Sequence, residues 1–404
     1  MRNAALMRLS LYLVAATVCS PALAQLSNDT VKIGIMADMS GPYADQQGPG
    51  DVVAAKLAIR DFGGTVLGRP VELVSGDMQN KPDVGLTLAR RWFDTEHVDA
   101  IIGIGSSSVG IALQGLAKEK NKITIATSVA TSELTGKECG PTSFHWVYDT
   151  YALAKATASA MQKQGARKWF FLTTDSAFGY SLEKEASKII VAGGGTVVGS
   201  VKIPINSTDF SSYLLKAQSS GADIVALSVA GADAVNAAKQ AREFGLVGNG
   251  QKVAGLILDV TNVYAIGLPE AQGMLFSAAF YWDQNAETRA FSDRFRALHG
   301  RPPTMMQAGV YSATIAYLKA VKEAGTDDAQ AVQRALRALP VNDFMTKNGY
   351  VREDGRMMRD MYLLEVKKPD GSNDPWDLAT VISTIPAEQA FRPLSESECP
   401  MINH

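Results

Sequence analysis

The sequence predicts an α/β protein built as two similar lobes, each a parallel sheet with helices on its faces. Two observations carry this. Short apolar runs alternate with segments of helical, 3.6-residue periodicity, which is the pattern of βαβ units. The whole alternation then occurs twice, over residues 31–126 and again over 151–258. The length of 404 residues points the same way, because it exceeds what one hydrophobic core ordinarily organises.

The chain opens with Arg2 and Arg8, no acid, a short apolar stretch over 11–18, and Ala22-Leu-Ala24. These are the parts of a secretory signal, predicting cleavage after Ala24 and an exported, periplasmic chain starting at Gln25. Cys19-Ser-Pro21 interrupts the apolar run well short of the roughly 20 residues that span a bilayer, so no membrane anchor is expected. The leader holds two of the 39 basic residues, leaving 37 against 41 acids. A chain of that balance suits neither nucleic acid nor an anionic membrane surface. Cys139 and Cys399 are the two cysteines left after cleavage, in a compartment that permits disulfides, and are expected to pair.

In the first half, residues 31–36 read as a buried strand and Ser40-Gly-Pro42 as its turn. A helix over 52–60 follows, then strand 71–74, a helix from Pro82 to Phe93, strand 99–103, helix 109–118 and strand 123–126. After a break at 144–148, helix 151–164 leads into strands 169–172, 196–200, 224–228 and 252–258, with helices 182–191, 210–217 and 234–244 between them. The tail predicts helices 288–299, 307–324 and 329–338, then antiparallel strands 350–354, 359–366 and 378–382. No long linker separates the halves. Crossovers near 148, 281 and 343 are expected to form a three-strand hinge. That division assigns 25–148 and 282–342 to one Rossmann-like lobe, and 149–281 and 343–404 to the other.

Gly103-Ile-Gly-Ser-Ser-Ser-Val109 lies between a strand and a helix, where hydroxyls and free N–H groups make a ready anion site. One serine could simply cap the helix, but three exceed what a cap needs. Enzymatic patterns are missing. The third glycine of a dinucleotide fingerprint is replaced by Ser108, and no serine sits in Gly-x-Ser-x-Gly. His97, His145, His299 and His404 are far apart in sequence, and no cluster has metal-ligand spacing, so no cofactor or metal is expected. Other strand-following loops are rich in serine, threonine or aromatics: 127–132, 175–180, 231–233 and 259–261. In parallel sheets such loops line the ligand crevice.

Val31-Lys-Ile-Gly-Ile with Ser40-Gly-Pro42, Val98-Asp-Ala-Ile-Ile-Gly103 with its serines, and Gly221-Ala-Asp-Ile-Val with Gly231-Ala-Asp233 resemble the leucine/isoleucine/valine-binding protein family. These are type I periplasmic solute-binding proteins of ABC importers. The resemblance covers essentially the whole mature chain. It implies a monomer that closes on a small carboxylate and presents it to permease subunits, with a sensory ligand-binding domain as the rival role. It places the carboxylate grip at Ser107 with Ser106 adjacent, and main-chain contacts to the ligand at Ser128 and Ala130. It puts an aromatic wall at Phe178 and the ammonium partner of amino-acid binders at or near Asp259. Residues 144–151 and Phe280-Tyr-Trp-Asp283 resemble a branch that binds aromatic carboxylates. Tyr43, Tyr151, Tyr281 and Trp282 are added from their positions in loops and crossovers. Phe178 as plain core, Asp259 as a helix cap, and Tyr281 and Trp282 as hinge packing are the competing readings. An aromatic monocarboxylate is the expected ligand, ahead of a branched-chain amino acid.

Overall fold

The computed structural model describes residues 26–246 and 250–402; the signal segment and His404 lie outside them. The first sheet has the order Thr65–Val66, Arg69–Asp77, Val31–Ala37, Ala100–Gly103, Ile123–Ala126, Ser143–His145. All of its pairings are parallel except the short hairpin of the first two strands. Val31, Ile33, Ile35, Ile102 and Ile125 are fully buried. Such near-continuous apolar runs are what a sheet covered on both faces requires. Helices Gly48–Phe62 and Met305–Ala324 pack on one side. On the other, Trp92 and Phe93 of helix Pro82–Asp94 and Val109 and Leu113 of helix Ser107–Lys120 share a second core with Met36.

The second sheet, Lys252–Gly255, Ile224–Ser228, Lys168–Thr174, Thr196–Ile203, is wholly parallel. A third, antiparallel sheet joins Leu275–Ala278, Met361–Val366 and Ala379–Ile385. Helix ends carry the signals that local chemistry demands. Asp149 caps helix Thr150–Lys163 through the Ala152 N–H at 2.8 Å. Thr304 and Gln307 form a capping box on Met305–Ala324, which ends at Gly325 in the left-handed region.

One boundary differs from the sequence expectation. Residues 343–358 stay beside the first sheet, and the chain passes to the third sheet between Met358 and Met361. Strand Tyr350–Val351 packs on helix Ala329–Ala338, and Arg356 bridges to His145. The reason is the buried Arg356 guanidinium, which donates to the Tyr148 carbonyl at 3.1 Å and to Asp149 Oδ2 at 3.5 Å. A charge so buried must be paired, so this segment is held against the first crossover. The break expected at 144–148 likewise begins with strand Ser143–His145.

The Cys139–Cys399 disulfide is present, with Cα atoms 5.6 Å apart. It anchors a tail that also touches the second lobe. Arg392 pairs with Glu185 at 2.7 Å, while Phe391 lies under the Arg356 guanidinium at 4.4 Å.

His145 gives the fold an acid-sensitive element. Its Nε2 faces the Val129 carbonyl at 2.7 Å, so that nitrogen carries the proton of a neutral ring. Burial, then the charge of Arg356, holds its pKa well below the usual histidine value. The unfolded chain therefore binds a proton that the folded one refuses. The stability His145 supplies is present above about pH 6.5 and is lost as pH falls below it. His145→Gln is expected to flatten the decline of Tm between pH 7 and pH 5, measured by calorimetry; an unchanged slope would contradict this.

Candidate functional site

Loops that follow the strands of both parallel sheets line one cleft cavity. The first sheet supplies Tyr43, Gln46 and Gln47 after Val31–Ala37. It also supplies Gly105, Ser106, Ser107 and Ser108 after Ala100–Gly103, Ser128 and Ala130 after Ile123–Ala126, and Tyr148 after Ser143–His145. The second supplies Ser176 and Phe178, Ile205, Ala230 and Ile257; Met306 completes the lining. In each sheet two of these loops leave the neighbouring strands between which the strand order reverses, where α/β sheets open a crevice.

The three serines stand at the start of helix Ser107–Lys120, whose N-cap, Ser106, makes no side-chain capping bond. Ser106 and Ser108 hydroxyls lie 3.1 Å apart and are half-buried. Ser107 is buried, and its Oγ accepts the N–H groups of Thr131 at 3.2 Å and Ala130 at 3.4 Å. Its proton remains free to be donated. Ser107 thus ties two cavity loops together as well as facing the cavity, so capping alone does not account for it. Gly105 belongs to the same turn. Any Cβ there would fall 1.6 Å from Gln47 Oε1, whose amide nitrogen donates to the Gly105 carbonyl at 3.2 Å.

The lining contains no Asp, Glu, Lys, Arg or His. Its two phenols, Tyr43 and Tyr148, have pKa values raised by burial above all and then by acids behind them. Both stay protonated, and Tyr148 donates to the Ser128 carbonyl at 3.0 Å. The Ser128 N–H is spent on Gly103, and the Ala130 carbonyl accepts from Thr150. The main-chain contacts expected of these two residues are therefore largely used inside the protein, and the Ser128 hydroxyl is what remains.

Of the residues singled out in the sequence, Tyr43, Ser106, Ser107, Ser128, Ala130 and Phe178 meet at this cavity; Tyr151, Asp259, Tyr281 and Trp282 are not among its lining. Tyr151 lies half-buried under Arg392, 4.7 Å from its guanidinium carbon. Tyr281 accepts the N–H groups of Leu378 and Ala379, and Trp282 donates to the Trp376 carbonyl at 2.9 Å; both pack at the third sheet. Asp259 caps helix Val260–Ile266. Sequence reasoning missed Gln46, Gln47, Tyr148 and Ile257. Their only local signal is position just beyond a strand end, which does not tell a wall from a prop.

The lobes touch at the cleft. Ala232 N–H donates to the Pro42 carbonyl at 3.0 Å, and the Ser132 hydroxyl donates to Glu185 Oε1 at 3.2 Å. The arrangement is that of a closed two-lobed binder. Among the described residues no cluster could hold a metal ion, and no helix is long and apolar enough to cross a membrane.

A test separates the serines. Ser106→Ala removes a hydroxyl with one serine partner, so affinity for a carboxylate should fall by about 1.5–3 kcal/mol, the range for a charged hydrogen bond, with Tm nearly unchanged. Ser107→Ala also strands two buried N–H groups and should lower stability by about 1–3 kcal/mol besides. Calorimetric titration and thermal melts of both variants read the difference; equal melting temperatures would contradict it.

A family model for periplasmic binding proteins matches residues 30–373. A Leu/Ile/Val-binding protein homologue from Brucella melitensis is 24% identical over 89% of this chain and 93% of its own length. Among solved structures, a periplasmic binding protein from Burkholderia mallei is 44% identical with a TM-score of 0.91, covering 93% of this chain and all of that one. A branched-chain amino acid ABC transporter periplasmic ligand-binding protein from Burkholderia xenovorans is 43% identical (TM-score 0.82), over 92% of this chain and 99% of that one. A solute-binding protein of an ABC transporter from R. palustris, solved with benzoate, shares the fold at 24% identity and a TM-score of 0.81, over 92% and 99% of the two chains. The chain belongs to the periplasmic binding protein family, in its type I, two-lobed form.

Proposed function

We propose that this protein captures a small aromatic monocarboxylate between its lobes and delivers it, closed and as a monomer, to the permease of an ABC importer. The signal-like N-terminal segment supports work in the periplasm. One observation carries the choice of ligand: a helix N-terminus with three serines faces a cavity lined by no charged side chain. The helix end suits an anion. An α-amino acid would also bury an ammonium, which is prohibitive unless it is paired. Phe178, Ile205 and Ile257 offer the apolar walls that a ring requires. The benzoate held by the R. palustris neighbour is consistent with this chemistry.

Branched-chain amino acids are the second reading, favoured by the names of the Brucella and B. xenovorans relatives. Calorimetric titration of the mature protein with benzoate, 4-hydroxybenzoate, leucine, isoleucine and valine decides between them. Binding of the aromatic acids with no heat from the amino acids is expected. Tight leucine binding that collapses in Asp233→Asn or Asp259→Asn would overturn the proposal.

A further inference from the structure

Resting on that reading, we infer that Gln46 is a specificity-determining residue: it bridges the lobes to Asp259 and Asn262, and so withdraws from the ligand the carboxylate that could answer an ammonium. Gln46 lies in the loop between Val31–Ala37 and Gly48–Phe62, in the first lobe; Asp259 and Asn262 belong to helix Val260–Ile266 and its cap, in the second. All three are buried, yet Gln46 lines the cavity while Asp259 does not.

The hydrogen bonds around Asp259 saturate Oδ1 and place the Gln46 amide on Oδ2. Its Oδ1 accepts from Thr261 N–H at 2.7 Å, Thr261 Oγ1 at 2.6 Å and Asn262 N–H at 3.3 Å. Its Oδ2 accepts from Gln46 Nε2, which also donates to Asn262 Oδ1 at 3.0 Å. Each carboxylate oxygen offers two acceptor sites: three donors crowd Oδ1, and Gln46 Nε2 takes one of the two on Oδ2. The orientation of the Gln46 amide is forced. Both facing atoms, a carboxylate oxygen and an amide oxygen that already accepts the Asp259 N–H at 3.2 Å, need a donor. Asn262 Nδ2 meanwhile donates to the Gly231 carbonyl at 3.3 Å, beside the Ala232-to-Pro42 contact across the cleft. Thr304 Oγ1 donates to the Gln46 carbonyl at 2.6 Å, fixing the loop that carries the bridge. One glutamine therefore closes the cleft and covers Asp259 Oδ2 from the cavity side.

The experiment is a calorimetric comparison of benzoate and leucine on the wild-type protein, Gln46→Ala and the double variant Gln46→Ala/Asp259→Asn. Asparagine caps a helix as well as aspartate does, so the double variant keeps that helix start and loses only the charge. Gln46→Ala should weaken benzoate at least fivefold through the lost bridge. It should shift the leucine-to-benzoate affinity ratio at least tenfold toward leucine, a gain that the double variant abolishes. Should Gln46→Ala fail to fold, Gln46→Ser exposes the same oxygen. An affinity ratio within twofold of wild type, with benzoate still bound, overturns this inference and leaves the proposed function standing. A wild type that ignores benzoate, with leucine binding appearing in Gln46→Ala, overturns the choice of aromatic acid and supports the bridge. A leucine gain that survives Asp259→Asn refutes the role of Asp259.

Discussion

Replacing both Cys139 and Cys399 by serine is expected to lower the unfolding free energy by up to about 5 kcal/mol, the chain-entropy value for so long a loop. The residues are 260 apart in sequence. Without the bond, the tail keeps non-covalent holds, among them Phe391 under Arg356, the Arg392–Glu185 pair, Arg392 over Tyr151, and Arg352 Nη1 donating to the Arg392 carbonyl at 2.8 Å. Ion pairs with partial exposure are each worth about 1 kcal/mol or less, so they do not replace the crosslink. Denaturant unfolding of oxidised wild type against the double variant measures the loss. A difference under about 1 kcal/mol, or two free thiols in the unreduced, denatured wild type, would contradict the expectation.

The second large effect falls on binding. Gly231 begins the helix Gly231–Glu243 with φ +60°, and a Cβ there would stand 2.2 Å from the Pro42 carbonyl oxygen of the opposite lobe. Gly231→Ala should therefore obstruct closure as well as strain the backbone by roughly 1–2 kcal/mol. Because ligand binds through the closed form, apparent affinity falls with the closed fraction, and a loss of about tenfold to a hundredfold is expected. Gly221→Ala is the control. Gly221 has φ +69°, and a Cβ added there would meet nothing within 4 Å, so it shares the strain without the clash. Its affinity should match wild type. Equal losses in the two variants would mean that strain, not closure, is being measured.

What could be read beforehand divides along the range of the interactions. The strands and the Ser106–Ser108 turn were legible because they are local: apolar runs mark buried parallel strands, and hydroxyls after a strand mark a helix start. The loops that carry Ser128, Ala130 and Phe178 followed from their place just beyond strand ends, and the choice of those three residues from the family resemblance. For Asp259 the helix cap was legible, but its bond to Gln46, which lies 213 positions away in the chain, was not. Tyr281 and Trp282 stand apart from the cavity for a related reason. An aromatic with a polar tip satisfies a ligand or a stray main-chain group equally well, and here the groups are those of 376–379. Tyr151 faces Arg392, and residues 343–358 follow Arg356 to the first crossover, both through contacts with distant parts of the chain that periodicity does not encode. Gln46 carried no motif at all.

The most direct measurement is a crystal structure of the mature protein grown with benzoate. The expected density places the carboxylate within hydrogen-bond distance of the Ser106–Ser108 hydroxyls and the first N–H groups of helix Ser107–Lys120. The ring should lie against Phe178 and Ile257, with Gln46 still bridging to Asp259. A cavity that rejects benzoate and instead retains an α-amino acid, its ammonium on Asp259 or Asp233, would contradict it.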